Sequence, residues 1–184
     1  MRFDAYSSVK NDEYYTPAYA VAPLLPYLKR FKSIWCPFDM AESNFVDVLK
    51  ENGHDVIYTH ISTGDDFFKV TVDCDAIVSN PPYSLKTEVL ERLFAMGTPF
   101  AMLLGLTGLF DSRRRFSMFS RNRFEVMMFD ARVDYYKTQL GGKSASPYPS
   151  GYICHDILPR PIVFARLKKN YGQLDLFEIE EAKG

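Results

Sequence analysis

Apolar positions along the chain follow two rhythms, and their alternation predicts the fold. From Thr16-Pro17, a capping residue and a proline suited to a first turn, Tyr19, Ala20, Leu24, Leu25 and Leu28 recur at helical spacing, with Pro23 and Pro26 shortening or bending the helix. A short apolar run, Ser33 to Phe38, precedes a helical pattern from Glu42 to Asn52 that Gly53 stops. His54 to Ile61 has the Val, Ile and Tyr content of a strand, and Ala76 to Ser79 reads as a buried one. Leu85 to Met96 is amphipathic and ends at Gly97, after which Phe100 to Leu106 is continuously apolar. Further on, Arg113 to Arg121 predicts a helix, and Phe124 to Phe129 and Ile162 to Leu167 predict strands. Strands alternating with helices predict an α/β fold with a parallel sheet covered on both faces. Thr138 to Ser150, rich in Gly, Ser and Pro, reads as a long loop of the kind that often carries function.

Composition narrows the class. In 184 residues, 47% of them hydrophobic, there is material for one ordinary core and little for a second domain. Residues 1–168 are therefore read as one domain and 169–184 as a tail. A net charge of -1 excludes a general attraction to phosphate, so any nucleic acid must be held by a local basic patch. Cys36, Cys74 and Cys154 are odd in number and far apart, which suits a reducing cytoplasm rather than a disulfide framework or a paired-cysteine metal site. The polar start has no apolar stretch of signal or membrane type, and the expectation is a cytoplasmic protein with no membrane partner.

The most specific chemistry lies in Ser79-Asn80-Pro81-Pro82-Tyr83-Ser84, at the end of a buried strand. In an open parallel sheet, ligands sit at the carboxyl ends of the strands. Two prolines stiffen the turn and remove two N–H donors, leaving carbonyl groups able to accept. The side-chain carbonyl of Asn80 adds an acceptor beside them, and Tyr83 supplies a flat face for a planar ring. Such a turn can hold an amino group that carries two hydrogens.

Asn80-Pro81-Pro82-Tyr83 resembles the catalytic motif of the amino methyltransferases, which pass a methyl group from S-adenosyl-L-methionine to adenine, cytosine or glutamine nitrogen. The resemblance implies that Asn80 and Pro81 orient the amine, with Pro82 stiffening the turn and Tyr83 stacking on a base flipped from the helix. It also implies a Rossmann-like class I methyltransferase fold: a mostly parallel twisted sheet with helices on both faces and a C-terminal antiparallel strand. Glu13-Tyr14-Tyr15-Thr16-Pro17 resembles the segment along the methionine end of the cofactor in DNA adenine methyltransferases, which implies that Tyr15, Thr16 and Pro17 border the cofactor. In the loop after the first strand, Pro37 and Asn44-Phe45 align to the family pattern with a one-residue shift, and Asp39 or Glu42 would stand in for the usual acid. No glycine lies between Cys36 and Phe45. His60 is either a ribose contact or a polar residue at a strand end. Asp65-Asp66-Phe67 resembles the family's adenine-binding acid and aromatic. Ser62 to Cys74 is too short for the helix and strand usual at that position.

Three further segments complete the reading. Arg113, Arg114, Arg115, Arg121 and Arg123 interleave with Phe116, Phe119 and Phe124, an arrangement in which arginines neutralise phosphates while phenylalanines anchor a helix, the alternative being a solvated helix face balanced by Asp111. Tyr148, in Ser146-Pro147-Tyr148-Pro149-Ser150, belongs to a segment similar to one in small phage-type adenine methyltransferases that could close over the base. Gln173, Leu174, Leu176 and Phe177 resemble the short peptide with which bacterial proteins dock on the sliding clamp. Taken together, these features imply a methyltransferase acting on adenine in DNA. RNA adenine, protein glutamine, and a non-catalytic binding module of the same fold are the alternatives.

Overall fold

The computed structural model describes residues 15–138, 141–145 and 148–170. Its elements in chain order are α1 (Ala18–Val21), α2 (Leu25–Leu28), β1 (Ser33–Cys36), α3 (Asn44–Glu51), β2 (Asp55–Tyr58), β3 (Ala76–Ser79), α4 (Lys86–Met96), β4 (Phe100–Gly105), α5 (Arg113–Arg121), β5 (Glu125–Phe129), β6 (Asp134–Thr138), β7 (Gly141–Ala145), β8 (Ser150–His155) and β9 (Ile162–Ala165). Pro23 and Pro26 divide the first helix as expected: a 3-10 turn over Ala22–Leu24 separates α1 from α2. Ser43 caps α3 through its side chain, and Gly97 ends α4 in the left-handed conformation.

Seven strands form one sheet in the order β2-β1-β3-β4-β8-β5-β9. Strands β1 to β4 are mutually parallel, β8 runs antiparallel to both β4 and β5, and β9 joins β5 in parallel. This is the expected Rossmann-like α/β sheet. Its single reversed strand is β8, the penultimate in the chain, and the last strand forms a parallel edge. β2 forms the other edge: between Ser62 and Cys74 the chain makes a 3-10 turn and no further strand.

Two apolar layers sandwich the sheet. On one face Ile34, Ala76, Val78, Ala101, Leu103, Met127 and Tyr152 pack against the first helices and α3. On the other, Trp35, Ile77, Met102, Leu104 and Ile153 meet α4 and α5. The alternation along each strand divides its residues between these layers.

One expectation is corrected. The described residues of the stretch 138–150 are mostly strand. β6 and β7 pair as a two-stranded antiparallel hairpin, and Ser150 begins β8. The periodic signal for β8 is only Tyr152-Ile153-Cys154, preceded by Ser-Gly, which reads as turn chemistry. Gly151 has a different cause: a Cβ there would lie 2.5 Å from the Met127 carbonyl oxygen, so β8 fits beside β5 only with glycine at that position. Among the described residues no helix is long and apolar enough to cross a membrane, and no group of three His, Cys, Asp or Glu is placed to hold a metal ion.

Candidate active site

The sheet has a switch point at β1, whose neighbours β2 and β3 are reached by connections running in opposite directions, and such crevices at carboxyl ends of strands are where open α/β sheets bind ligands. Three strand ends converge there: Cys36 leading to Pro37 and Asp39, Tyr58 leading to His60, and Ser79 leading to Asn80.

Asp39 ties two of these ends together. Its carboxylate is buried, and it accepts from the Ser43 hydroxyl at 2.5 Å and from the buried Ser79 hydroxyl. Burial penalises its charge more than these two bonds favour it, so its pKa rises from 3.8 to about 6. Both carboxylate oxygens are therefore occupied within the protein. Pro37 is buried beside it.

Thr16 forms the second node. Its carbonyl accepts from Asn44 Nδ2 at 2.8 Å, and its hydroxyl accepts from Asn80 Nδ2 at 3.1 Å. The stretch before α1 thus holds the first residue of α3 and the residue after β3 in one place, with Pro17 buried next to it. Tyr15 is fixed by a reciprocal backbone pair to Tyr136 at 3.0 and 3.1 Å. With its amide nitrogen committed to Thr16, Asn80 turns its Oδ1 into a buried position where it accepts no hydrogen bond. An unpartnered buried acceptor costs about 1–3 kcal/mol, an expense that native proteins tend to concentrate at functional sites.

Tyr83 opens the 3-10 turn that leads into α4 and packs its ring over Gly105, where even a Cβ would lie 3.7 Å from it. Its hydroxyl donates to Tyr135 at 2.8 Å, and the Tyr135 hydroxyl donates to Ser150 Oγ at 3.0 Å. The two rings meet nearly edge to face, with centroids 6.4 Å apart. Burial pushes the Tyr135 phenol well above its ordinary range, so it remains a neutral relay. Neither Tyr135 nor Ser150 stands out in the sequence: one lies in a strand and the other in what read as a loop. Pro81 is buried and Pro82 half-buried between these groups.

The expected cofactor residues separate into two sets. His60 and Asp65 lie partly exposed on the turn after β2. His60 Nδ1 contacts Ser62 Oγ at 2.6 Å, and Asp65 accepts from the Thr63 hydroxyl at 3.2 Å. A carboxylate and an imidazole at this strand end are the donors and acceptors that the hydroxyl and amino groups of a nucleoside require. The other set is engaged inside the protein. Asp66 accepts from Phe68 N at 3.0 Å and pairs with Lys69 at 3.2 Å. The Phe67 ring is buried between Phe38 at 4.8 Å and Trp35 at 5.7 Å.

The arginine helix divides similarly. Arg114 binds Glu88 at 3.0 Å and Glu91 at 2.5 Å. Arg115 spans the Gly108 and Leu109 carbonyls and the Thr87 hydroxyl at 2.6–3.0 Å, which fastens the turn after β4 to α4. Arg113 and Arg121 are exposed and make no such bonds among the described residues. Phe119 anchors the helix in the core as expected, but Phe116 points outward and is 70% exposed. Tyr148 is exposed just before β8, whereas Gln173, Leu174, Leu176 and Phe177 lie outside the described residues.

No family model matches the chain, and no curated protein matches it. Three solved structures share part of its shape. A protein assigned as an RNA methyltransferase from Pyrococcus horikoshii is 14% identical with a TM-score of 0.45, over 79% of this chain and 86% of that one. A precorrin-6y C5,15-methyltransferase from Geobacter metallireducens is 13% identical with a TM-score of 0.43, over 73% and 84%. The modification subunit assigned to a type I restriction enzyme of Vibrio vulnificus is 10% identical with a TM-score of 0.46; the likeness covers 96% of this chain and 53% of that one. At such identities and scores these likenesses carry no functional weight, which rests instead on sheet order and site chemistry.

Proposed function

We propose that the protein is an S-adenosyl-L-methionine-dependent methyltransferase acting on the exocyclic amino group of adenine in DNA. The observation that supports this reading is Asn80: its NH2 end is fixed on Thr16 and its carbonyl oxygen is left without a hydrogen-bond donor, at the carboxyl end of β3 beside the switch point. An incoming amine supplies the missing donor. Because Thr16 sets the amide rotamer in advance, little orientational freedom is lost when the amine arrives. Tyr83, held by Tyr135, presents its ring beside the same turn.

His60 and Asp65 are the residues that would hold the nucleoside of the cofactor, with Thr16 and Asn44 bordering the crevice opposite. The cofactor supplies a methyl group on a sulfonium, a donor reactive enough that the protein need position the nitrogen and carry off its proton rather than provide a strong base. The oxygen of Asn80 is closed off from solvent, so a small movement of the turn must accompany entry of the base. Target nitrogen is tested by tritiated methyl transfer to DNA, RNA and protein substrates. Label in DNA adenine is expected, and label confined to RNA or protein would refute the assigned substrate.

A second reading is favoured by the inward commitment of Asp39, Asp66 and Phe67: a binding module that keeps the fold without the cofactor. Calorimetry separates the two, since a module gives no heat with S-adenosyl-L-methionine. We also propose that Gln173, Leu174, Leu176 and Phe177 tether the enzyme to a bacterial sliding clamp. Leu174→Ala with Phe177→Ala should abolish retention on immobilised clamp, and undiminished retention would remove the tether.

A further inference from the structure

The two sides of β9 are unequal. Val163 faces inward and is buried, whereas Ile162 and Phe164 point out from the sheet's edge strand at 53% and 79% exposure. Across the ladder, Ile162 pairs with Val126 and Phe164 with Met128, which is itself 39% exposed. Val126 is the last residue of this face packed into the core beneath α4 and α5. Beyond it the helical cover ends, and an aromatic ring, an isoleucine and a methionine lie open together.

Charge frames this surface. Alternation within β9 puts Ile162 and Phe164 on one side; Arg160 lies in the bend just before the strand, and Arg166 and Lys168 follow just after it. Arg160, Arg166 and Lys168 are exposed and form no ion pair among the described residues. The neighbouring carboxylate, Asp130, accepts from the Leu167 backbone at 3.0 Å. Unpaired cations on either side of an exposed aromatic ring complement a chain of phosphates that carries planar bases. The surface also leads towards the proposed active site. Met128 and Phe129 line a cavity of about 220 Å³ together with Leu106, Pro149 and Ser150, and Ser150 ends the hydroxyl chain that starts at Tyr83.

We propose that the outer face of β5 and β9 is a stacking platform for single-stranded nucleic acid, with a base lying on Phe164 and its phosphates held by Arg160 and Arg166. Resting on the methyltransferase reading, the platform would carry the nucleotides flanking the target base and would supply the substrate contact that Arg114 and Arg115 are not free to make. These side chains are on an edge and outside the core, so replacing them leaves the fold intact.

The test is fluorescence anisotropy of a labelled single-stranded DNA oligonucleotide with the full-length protein, with heparin as a polyanion that lacks bases. Phe164→Ala is expected to weaken oligonucleotide binding by roughly five-fold or more, the scale of one lost base stack, and Phe164→Tyr to retain it. Arg160→Gln with Arg166→Gln should lower the slope of log affinity against log salt by about 1.4. No binding by the unaltered protein, equal binding by Phe164→Ala, or an equal loss of heparin and oligonucleotide affinity in that variant would each overturn the platform. The two ideas therefore fail separately: absent methyl transfer with an intact Phe164 effect removes the enzyme and leaves the platform.

Discussion

Two buried carboxylates occupy opposite ends of the same sheet and are treated differently. Asp39, at the carboxyl ends of β1 and β3, is held by two hydroxyl groups. Glu125, at the start of β5, accepts three backbone N–H bonds, from Asp156, Ile157 and Leu158 at 3.2, 3.2 and 3.3 Å, with Arg123 3.9 Å away. Backbone donors cannot turn away, so Glu125 pins the chain that follows β8. Hydroxyls rotate, and the charge of Asp39 is compensated so incompletely that its pKa stands near 6. One end of the sheet is built to stay fixed. The other is held by hydroxyls that can rotate and retains one buried acceptor without a donor, the Asn80 oxygen, a difference that sets this end apart as the candidate site without reference to any motif.

The contrast breaks most sharply at Asn80. Asn80→Ala should lower methyl transfer by about 1,000-fold, near 4 kcal/mol of lost positioning, while stability stays within about 1 kcal/mol because the orphaned oxygen leaves with the side chain. Cofactor affinity by calorimetry should be unchanged; a parallel loss of affinity would mean that Asn80 holds the fold instead. At the opposite end, Glu125→Ala should cost about 3–5 kcal/mol in denaturant unfolding, because three buried N–H groups lose their acceptor. A loss under 1 kcal/mol would show that the three bonds are dispensable.

Asp39 sharpens the comparison through pH. Its folded pKa lies above its unfolded value, so the folded state binds the proton more tightly, and this contribution is complete below pH 3.8 and lost as pH rises through about 6. The difference amounts to about 3 kcal/mol. Asp39→Asn should abolish that slope relative to the parent protein and raise the melting temperature at pH 7.5. An identical slope in both proteins would locate the titration elsewhere. The smallest effect is expected at Tyr135: Tyr135→Phe removes the link between Tyr83 and Ser150 and should reduce kcat by about five-fold, with cofactor affinity unchanged.

Much of this architecture is legible in the sequence where local rules govern. Ala76–Ser79 and Arg113–Arg121 have the predicted bounds, because a buried apolar run and a capped amphipathic stretch declare themselves without long-range help. Thr16, Asn44, Asp39 and Asn80 were each singled out, yet their convergence on two nodes depends on the sheet order, which brings β3 beside β1. β8 was hidden for a physical reason: its glycine is required by the carbonyl of a neighbouring strand, and in sequence that glycine signals a turn. Charge in a sequence carries no record of its partners: in α5, Glu88 and Glu91 bind Arg114 and the Gly108 carbonyl binds Arg115.

The position of β8 also has a kinetic consequence. Among the described residues β5 pairs only with β8 and β9, and β8 is made more than 20 residues after β5. A nascent chain emerging from the ribosome can zip β1 to β4 as each appears, but β5 must wait unpaired until the late strand slots in between. The second half of the sheet is therefore assembled in one closing event, which waits for the synthesis of β8.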